Sequence, residues 1–303
     1  MIMNKKLIVI LGPTASGKTH RAVSLARAID GEIISADSRQ VYSGMDIGTG
    51  KDIDEYGDVP YHLIDICPAG YKYNLYEYLR DFDHVFADIK KRGKNAILCG
   101  GTGLYIESVL NGLKLPEVAE NKELRDELSV YSLEELTKML AAMKSMHNTT
   151  DVDNKKRAIR AIEIQTYYNA HPQAAAAAQP HPISDALIIG IDIDREVRRQ
   201  RISHRLDARL LAGMVNEIQE LIRLGVKPED LSYYGLEYKF VTAYVTGKIS
   251  KEEMHDMLEI AIHQFAKRQM TWFRGMERRG FKINWLPYNL SDEEFNKTVL
   301  KMI

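Results

Sequence analysis

An α/β fold, with a parallel sheet flanked by helices and an all-helical domain inserted in it, is what this sequence predicts. Three observations predict it. Short apolar runs alternate with amphipathic helical stripes, and a glycine-rich turn joins the first run to the first stripe. Residues 112–182, finally, carry helical patterning with no strand.

Residues 7–11 form a nearly unbroken apolar run ahead of Gly12, as a strand buried on both faces would. Ala22, Leu25, Ala26 and Ile29 then recur at helical spacing, and Gly31 is expected to stop that helix. Residues 32–37 read as a second strand. Leu75, Leu79, Phe82, Val85, Phe86 and Ile89 make the next helical stripe, which Gly93 ends. Residues 95–100, 186–191 and 281–286 read as further strands. In the middle segment Ser132 and Glu135 form a capping box ahead of Leu136, Met139, Leu140 and Met143. The alanine run 174–178, bounded by Pro180 and Pro182, reads as a linker or hinge. The organisation expected is a core of residues 1–111 and 183–303, ending in helices, with residues 112–182 as a helical insertion.

Composition narrows the function classes. The chain has 303 residues, 45% hydrophobic and 27% charged, which excludes a disordered, collagenous or coiled-coil protein. With 41 Lys and Arg against 42 Asp and Glu the net charge is -1. That excludes an all-over basic coat but leaves room for local basic faces. Cys67 and Cys99 have no CxxC or histidine companion, which argues against a disulfide framework or a zinc site and suits a reducing cytosol. Neither a membrane span nor a cleaved signal is expected.

Gly12, Pro13, Thr14, Ala15, Ser16, Gly17, Lys18 and Thr19 satisfy G-x-x-x-x-G-K-[ST], between a strand and a helix as this P-loop motif requires. The pattern arises by chance in on the order of one chain of this length in a hundred. Its glycines let successive amides point inward, and the helix dipole adds positive potential. Lys18 adds a point charge, and the Thr19 hydroxyl can ligate Mg²⁺. An ordinary P-loop hydrolase ends a later strand in a metal-holding acid. Here the third strand ends Cys99, Gly100, Gly101, Thr102, Gly103, and the acid instead follows the second strand, as Asp37. By position Asp37 is a metal ligand, a general base or a cap for the next turn.

The ordered segments GPTASGKT, SADSRQVY, GGTGLY, RAIRAIE and AKRQMTWFR resemble the signatures of the tRNA dimethylallyltransferases, also called tRNA isopentenyltransferases, of bacterial type. The resemblance runs from Leu7 to about Trp285. It implies transfer of a dimethylallyl group from dimethylallyl diphosphate to the exocyclic amine of the adenosine 3′ of a tRNA anticodon. It makes Asp37 the base, places Thr14 near the reacting centre, and sends Arg205, in Arg201-Ile-Ser-His-Arg205, to the diphosphate. Mg²⁺ is the implied cofactor, with Thr19 as its protein ligand. Asp37, Ser38, Arg39 and Gln40 would line the acceptor side. Thr102, Arg125, Lys156, Arg157, Arg160, Lys267 and Arg268 would contact the tRNA anticodon stem-loop, in keeping with the need for a basic face on RNA. A cytoplasmic monomer is expected. Prenylation of free adenine nucleotides and a P-loop kinase or nucleotide-binding (ATP-binding) NTPase are the alternative readings.

Departures from the family pattern are also visible. Arg209 stands where the family often has methionine and is assigned no role. Glu237 replaces a usual glycine. His62 is either a site residue or a hydrogen-bonded structural one. Met254, Leu258, Ala261, Phe265 and Trp272 share a helical stripe, so Trp272 is expected in the core.

Overall fold

The computed structural model describes residues 7–115, 117–144, 150–177 and 179–303. The chain divides into two compact units. One holds the described residues through Asn111 together with Pro182–Ile303, the other Gly112–His181.

In chain order the first unit begins with β1 (Ile8–Leu11), α1 (Lys18–Ile29), β2 (Gly31–Ser35), β3 (Tyr42–Ser43), β4 (Tyr61–His62) and β5 (Cys67–Pro68). It continues with α2 (Leu75–Lys91), β6 (Asn95–Gly100) and α3 (Gly103–Leu110). The second unit contributes α4 (Lys122–Leu128), α5 (Leu133–Met143), α6 (Lys155–Ala170) and α7 (Pro172–Ala177). The first unit then resumes with β7 (Leu187–Asp192), α8 (Arg195–Leu211), α9 (Met214–Arg223), α10 (Pro228–Leu231) and α11 (Leu236–Val245). It closes with α12 (Lys251–Arg278), β8 (Ile283–Pro287) and α13 (Asp292–Leu300).

Six strands form one sheet in the order β4-β2-β6-β1-β7-β8, every pair parallel. β1 lies inside it, with Ile8 to Leu11 paired to Ile97–Gly100 on one side and Leu187–Gly190 on the other. All four β1 residues are buried, which is why the run carries no polar alternation. Ile8, Ile10, Ile33, Ile97 and Ile189 pack against Ala22, Leu25 and Ala26 of α1. Each isoleucine or leucine removed from water contributes roughly 1.5–3 kcal/mol. Because all strands point one way, the segments that follow β1, β2 and β6 emerge along one edge of the sheet. The segments after β2 and β6 are thereby brought to the same edge as the glycine-rich loop.

Two local expectations are corrected. Asp30, not Gly31, closes α1: it sits in the left-handed region with φ 53, and its amide caps the Ala26 carbonyl. Aspartate tolerates that conformation, so Gly31 is already part of β2. The alanine run is also not a simple linker. Pro172–Ala177 is the short helix α7, begun by a proline whose missing N–H costs nothing at a helix start. Ala178 lies outside the described residues.

The second unit has its own core of Leu128, Leu136, Leu140, Ala158, Ala161 and Ile162. Ser132 and Glu135 form the capping box on α5 that the sequence predicts. Among the described residues no helix is long and apolar enough to cross a membrane.

Candidate active site

The loop between β1 and α1 owes its shape to two left-handed residues, Ala15 (φ 61) and Gly17 (φ 83). Gly12 must be small, because a Cβ there would lie 2.6 Å from Ser16 Oγ. The Ser16 amide donates to the Pro13 carbonyl at 3.3 Å, and the Thr14 amide to Gln269 Oε1 at 2.8 Å. The amides of the first turn of α1 remain for an anion, as helix geometry leaves them without intrahelical acceptors. Thr14, Ala15, Gly17, Lys18 and Thr19 line a cleft of about 550 Å³, whereas Gly12, Pro13 and Ser16 are not part of its lining. Burial holds Lys18 below its usual pKa, with Cys99 and Asp37 pulling the other way. An anion in the cradle relieves that penalty.

Asp37 follows β2 and opens on the same cleft. Its Oδ1 accepts the Arg39 amide at 3.0 Å, so the carboxylate is oriented by the turn that it caps. The Ser38 amide donates to Thr102 Oγ1 at 3.1 Å, and the Thr102 amide to the Ala36 carbonyl at 3.1 Å. Thr102 therefore ties the end of β6 to the turn after β2. The Gln40 side chain is committed on both sides, accepting from Ser35 Oγ at 2.9 Å and donating to the Gly50 carbonyl at 3.1 Å. Arg39 donates to the Tyr233 carbonyl and lies over the Tyr233 ring.

α8 supplies Arg205 to the cleft, and also Arg209, to which the sequence assigns no role. Arg201 is outside the cleft lining: it lies 4.8 Å over the Tyr288 ring, with its guanidinium 3.9 Å from where a Cβ on Gly17 would stand. Opposite α8, the segment 46–52 is held by residues that the sequence does not flag. Glu217 accepts the amides of Asp46, Ile47 and Gly48 at 2.8, 2.7 and 3.0 Å, and the Tyr238 hydroxyl at 2.6 Å. Lys51 is fully buried, donating to the Tyr42 carbonyl at 2.7 Å and pairing with Asp46 and Asp65. In the sequence Glu217 is one charge on an amphipathic helix, and nothing local marks it.

Glu237 opens on the cleft from the first turn of α11. Burial pushes its carboxyl up to about 7, against the pull of its own amide and Arg205. Counting the lining side chains gives six Lys or Arg against four Asp or Glu, a balance that favours an anionic ligand.

At the mouth stand Phe265, Arg268 and Trp272. Trp272 is not a core residue: it is 39% exposed, laid on Gly103, where a Cβ would come within 2.3 Å of the indole. The buried stripe of α12 runs instead through Met254, Leu258, Ile262, Ala266, Gln269, Phe273 and Met276. The 3.6-residue period carries it past Ala261 and Phe265.

Other residues singled out by sequence lie elsewhere. In the second unit, Arg125 forks onto the buried Glu163 with bonds of 3.0 and 2.8 Å. Arg160 pairs with the same Glu163 and donates to the Val118 carbonyl at 2.8 Å. Burial pushes the Glu163 carboxyl up, but Arg125, the Asn121 amide and Arg160 together hold it below its usual value. Arg157 is exposed, paired with Asp153 at 2.6 Å, and Lys156 is exposed beside it. In the first unit Lys267 is exposed on α12. His62 takes its hydrogen-bonded reading: on β4 it meets Glu32 at 2.7 Å, outside the cleft lining. Cys67 and Cys99 are buried free thiols, pushed by burial up to about 11 and about 12.

Comparison with known proteins identifies the family. The profile described as IPP transferase matches residues 40–276, and that described as Isopentenyl transferase matches residues 5–56. A protein of Parabacteroides distasonis named tRNA dimethylallyltransferase 1 is 59% identical, over 98% of this chain and 97% of its own. One of Bacteroides fragilis named tRNA dimethylallyltransferase 2 is 58% identical, over 95% and 94%. Among solved structures, the tRNA isopentenylpyrophosphate transferase of Bacillus halodurans superposes with a TM-score of 0.72 at 30% identity, covering 99% of this chain and 95% of that one. A eukaryotic dimethylallyltransferase acting on tRNA superposes at 0.81 and 25% identity, over 99% and 78%. With a P-loop and an acid after the second strand opening on one cleft, and with relatives matched over nearly their whole length, this chain belongs to the IPP transferase family, that of the tRNA dimethylallyltransferases.

Proposed function

We propose that the cleft transfers the dimethylallyl group of dimethylallyl diphosphate to tRNA, at the exocyclic amine of the adenosine 3′ of the anticodon, releasing diphosphate. The observation that carries this reading is the sharing of one cleft by Lys18, Thr14, Arg205 and Asp37. An allylic C–O bond breaks as the C–N bond forms, and negative charge gathers on the departing diphosphate. Lys18, Arg205 and the first-turn amides of α1 are there to receive it. The adenine amine is a weak nucleophile, because its lone pair is conjugated into the ring. Asp37 accepts its proton, and its fixed orientation through the Arg39 amide supports that role.

Mg²⁺ binding fits the Thr19 hydroxyl together with diphosphate oxygens, since this ion keeps few protein ligands beside a phosphate. When bound, it would screen the charge of the leaving group. Phe265 and Trp272 at the cleft mouth, with Arg268 beside them, suit the stacking of a nucleobase drawn out of its loop. Lys156 and Arg157 suit contact with RNA phosphate.

The test is mass spectrometry of tRNA after incubation of the full chain with dimethylallyl diphosphate and Mg²⁺. A five-carbon gain on the adenosine beside the anticodon is expected. Product formed on adenosine monophosphate instead of tRNA would replace this reading with free-nucleotide prenylation. Steady hydrolysis of a nucleoside triphosphate without a prenylated product would replace it with an NTPase.

A further inference from the structure

α8 turns two arginines into the donor end of the cleft. Arg205 and Arg209 are four residues apart, one turn along the same helix face. Both line the main cleft and also a recess of about 20 Å³ against Thr14 and Ala15. The two side chains are 33% and 14% exposed, so Arg209 is the better buried. Their guanidiniums converge on a single oxygen, Asp52 Oδ2, 3.3 Å from Arg205 Nη2 and 3.5 Å from Arg209 Nη2. Both also lie over Gly50, whose φ is 63. A Cβ there would come within 1.6 Å of Arg209 Nη2 and 2.3 Å of Arg205 Nη2.

Two cations sharing one carboxylate oxygen, at the long end of the hydrogen-bond range, are poorly satisfied. A diphosphate offers several oxygens and more charge, and guanidinium groups bind phosphate in a forked geometry that a shared single oxygen does not allow. An uncharged side chain at position 209 would bring no charge to this wall.

We propose that Arg209 is a second diphosphate-binding arginine, closing with Arg205 as a two-guanidinium clamp, and that Asp52 is the counter-ion which the diphosphate displaces. The proposal rests on the reading that the P-loop holds the diphosphate of the donor. The clamp adds to the stabilisation of the leaving group, and it slows the release of diphosphate after transfer.

The experiment is calorimetric titration of the full chain with inorganic pyrophosphate in Mg²⁺. Arg209→Met should weaken binding roughly tenfold, the scale of one charge-assisted contact to phosphate, and Arg209→Lys should recover part of the loss. Asp52→Asn should tighten binding, since asparagine tolerates the left-handed backbone at this position (φ 46) and lacks the competing charge. That gain should shrink in the Arg209→Met background. Unchanged affinity in Arg209→Met, in a variant that melts normally and still binds tRNA, overturns the clamp. Weaker binding in Asp52→Asn overturns the counter-ion role. Lys18→Ala separates the two levels. If it abolishes pyrophosphate binding while Arg209→Met does nothing, only the clamp fails; if it leaves binding intact, the cradle reading itself fails.

Discussion

Gln269 holds the P-loop to the neighbouring strand end: its Oε1 accepts the Thr14 amide at 2.8 Å, and its Nε2 donates to the Gly101 carbonyl at 2.9 Å. A single buried amide from α12 thereby fixes the spacing between the loop after β1 and the turn after β6. Its two partners lie 255 and 168 residues away in sequence. Gln269→Leu would leave an amide and a carbonyl unpaired beside the cradle, a loss of about 1–3 kcal/mol. The expected outcome is a lower urea midpoint together with a raised KM for dimethylallyl diphosphate. A variant with wild-type values of both would show that the loop holds its shape unaided.

Asp37 is oriented through its backbone-facing oxygen, and asparagine keeps that oxygen. Asp37→Asn should therefore preserve the turn and the affinity for pyrophosphate while turnover on tRNA falls by about 10²–10⁴-fold, the usual worth of a positioned base. Single-turnover rates decide it. Near-normal turnover would remove Asp37 from the proton path.

Arg157 and Arg160 stand one turn apart on α6 but have different duties. Arg157 makes an exposed i,i+4 pair with Asp153, of the kind that adds little to stability. Arg157→Ala should weaken tRNA binding and flatten its salt dependence, with the melting temperature unchanged. Arg160 serves the buried Glu163, alongside Arg125. Arg160→Ala should cost roughly 1–2 kcal/mol in unfolding free energy. A salt series of binding curves and melting curves on both variants separates the roles. Equal melting temperatures for the two would contradict the division.

Glu237 makes stability depend on pH, and the sign follows from its raised pKa of about 7 against an ordinary 4.5. Below about pH 4.5 the carboxyl is neutral in both folded and unfolded chains. Between 4.5 and 7 the unfolded chain ionises first, so the folded state loses stability, and above 7 the loss is complete. Glu237→Gln has no such loss. Relative to wild type it should gain on the order of 2 kcal/mol between pH 4.5 and pH 8 in urea unfolding. Parallel pH profiles for the two proteins would show the carboxyl to be solvated.

Elements whose signals are local can be read from the chain directly. β1 and the loop after it were legible because an apolar run, two glycines, a lysine and a threonine are all that a strand, a phosphate cradle and a helix start require within about a dozen consecutive residues. Asp37 was legible as a candidate because parallel strands deliver their carboxyl ends to one edge. The chain order of the motifs is likewise a local signal of the family. Tertiary structure alone decided what depends on contacts between distant segments. Three amides of the 46–52 segment close on Glu217, Gln269 bridges two strand ends, and Arg209 enters the cleft although its neighbour Arg201 does not. Trp272 looked like core because a helical period shows that a face is apolar but not where that face points. A side chain's partner, and thus its charge state and its role, is set by what packs against it from elsewhere in the chain, and spacing along one helix carries no record of that.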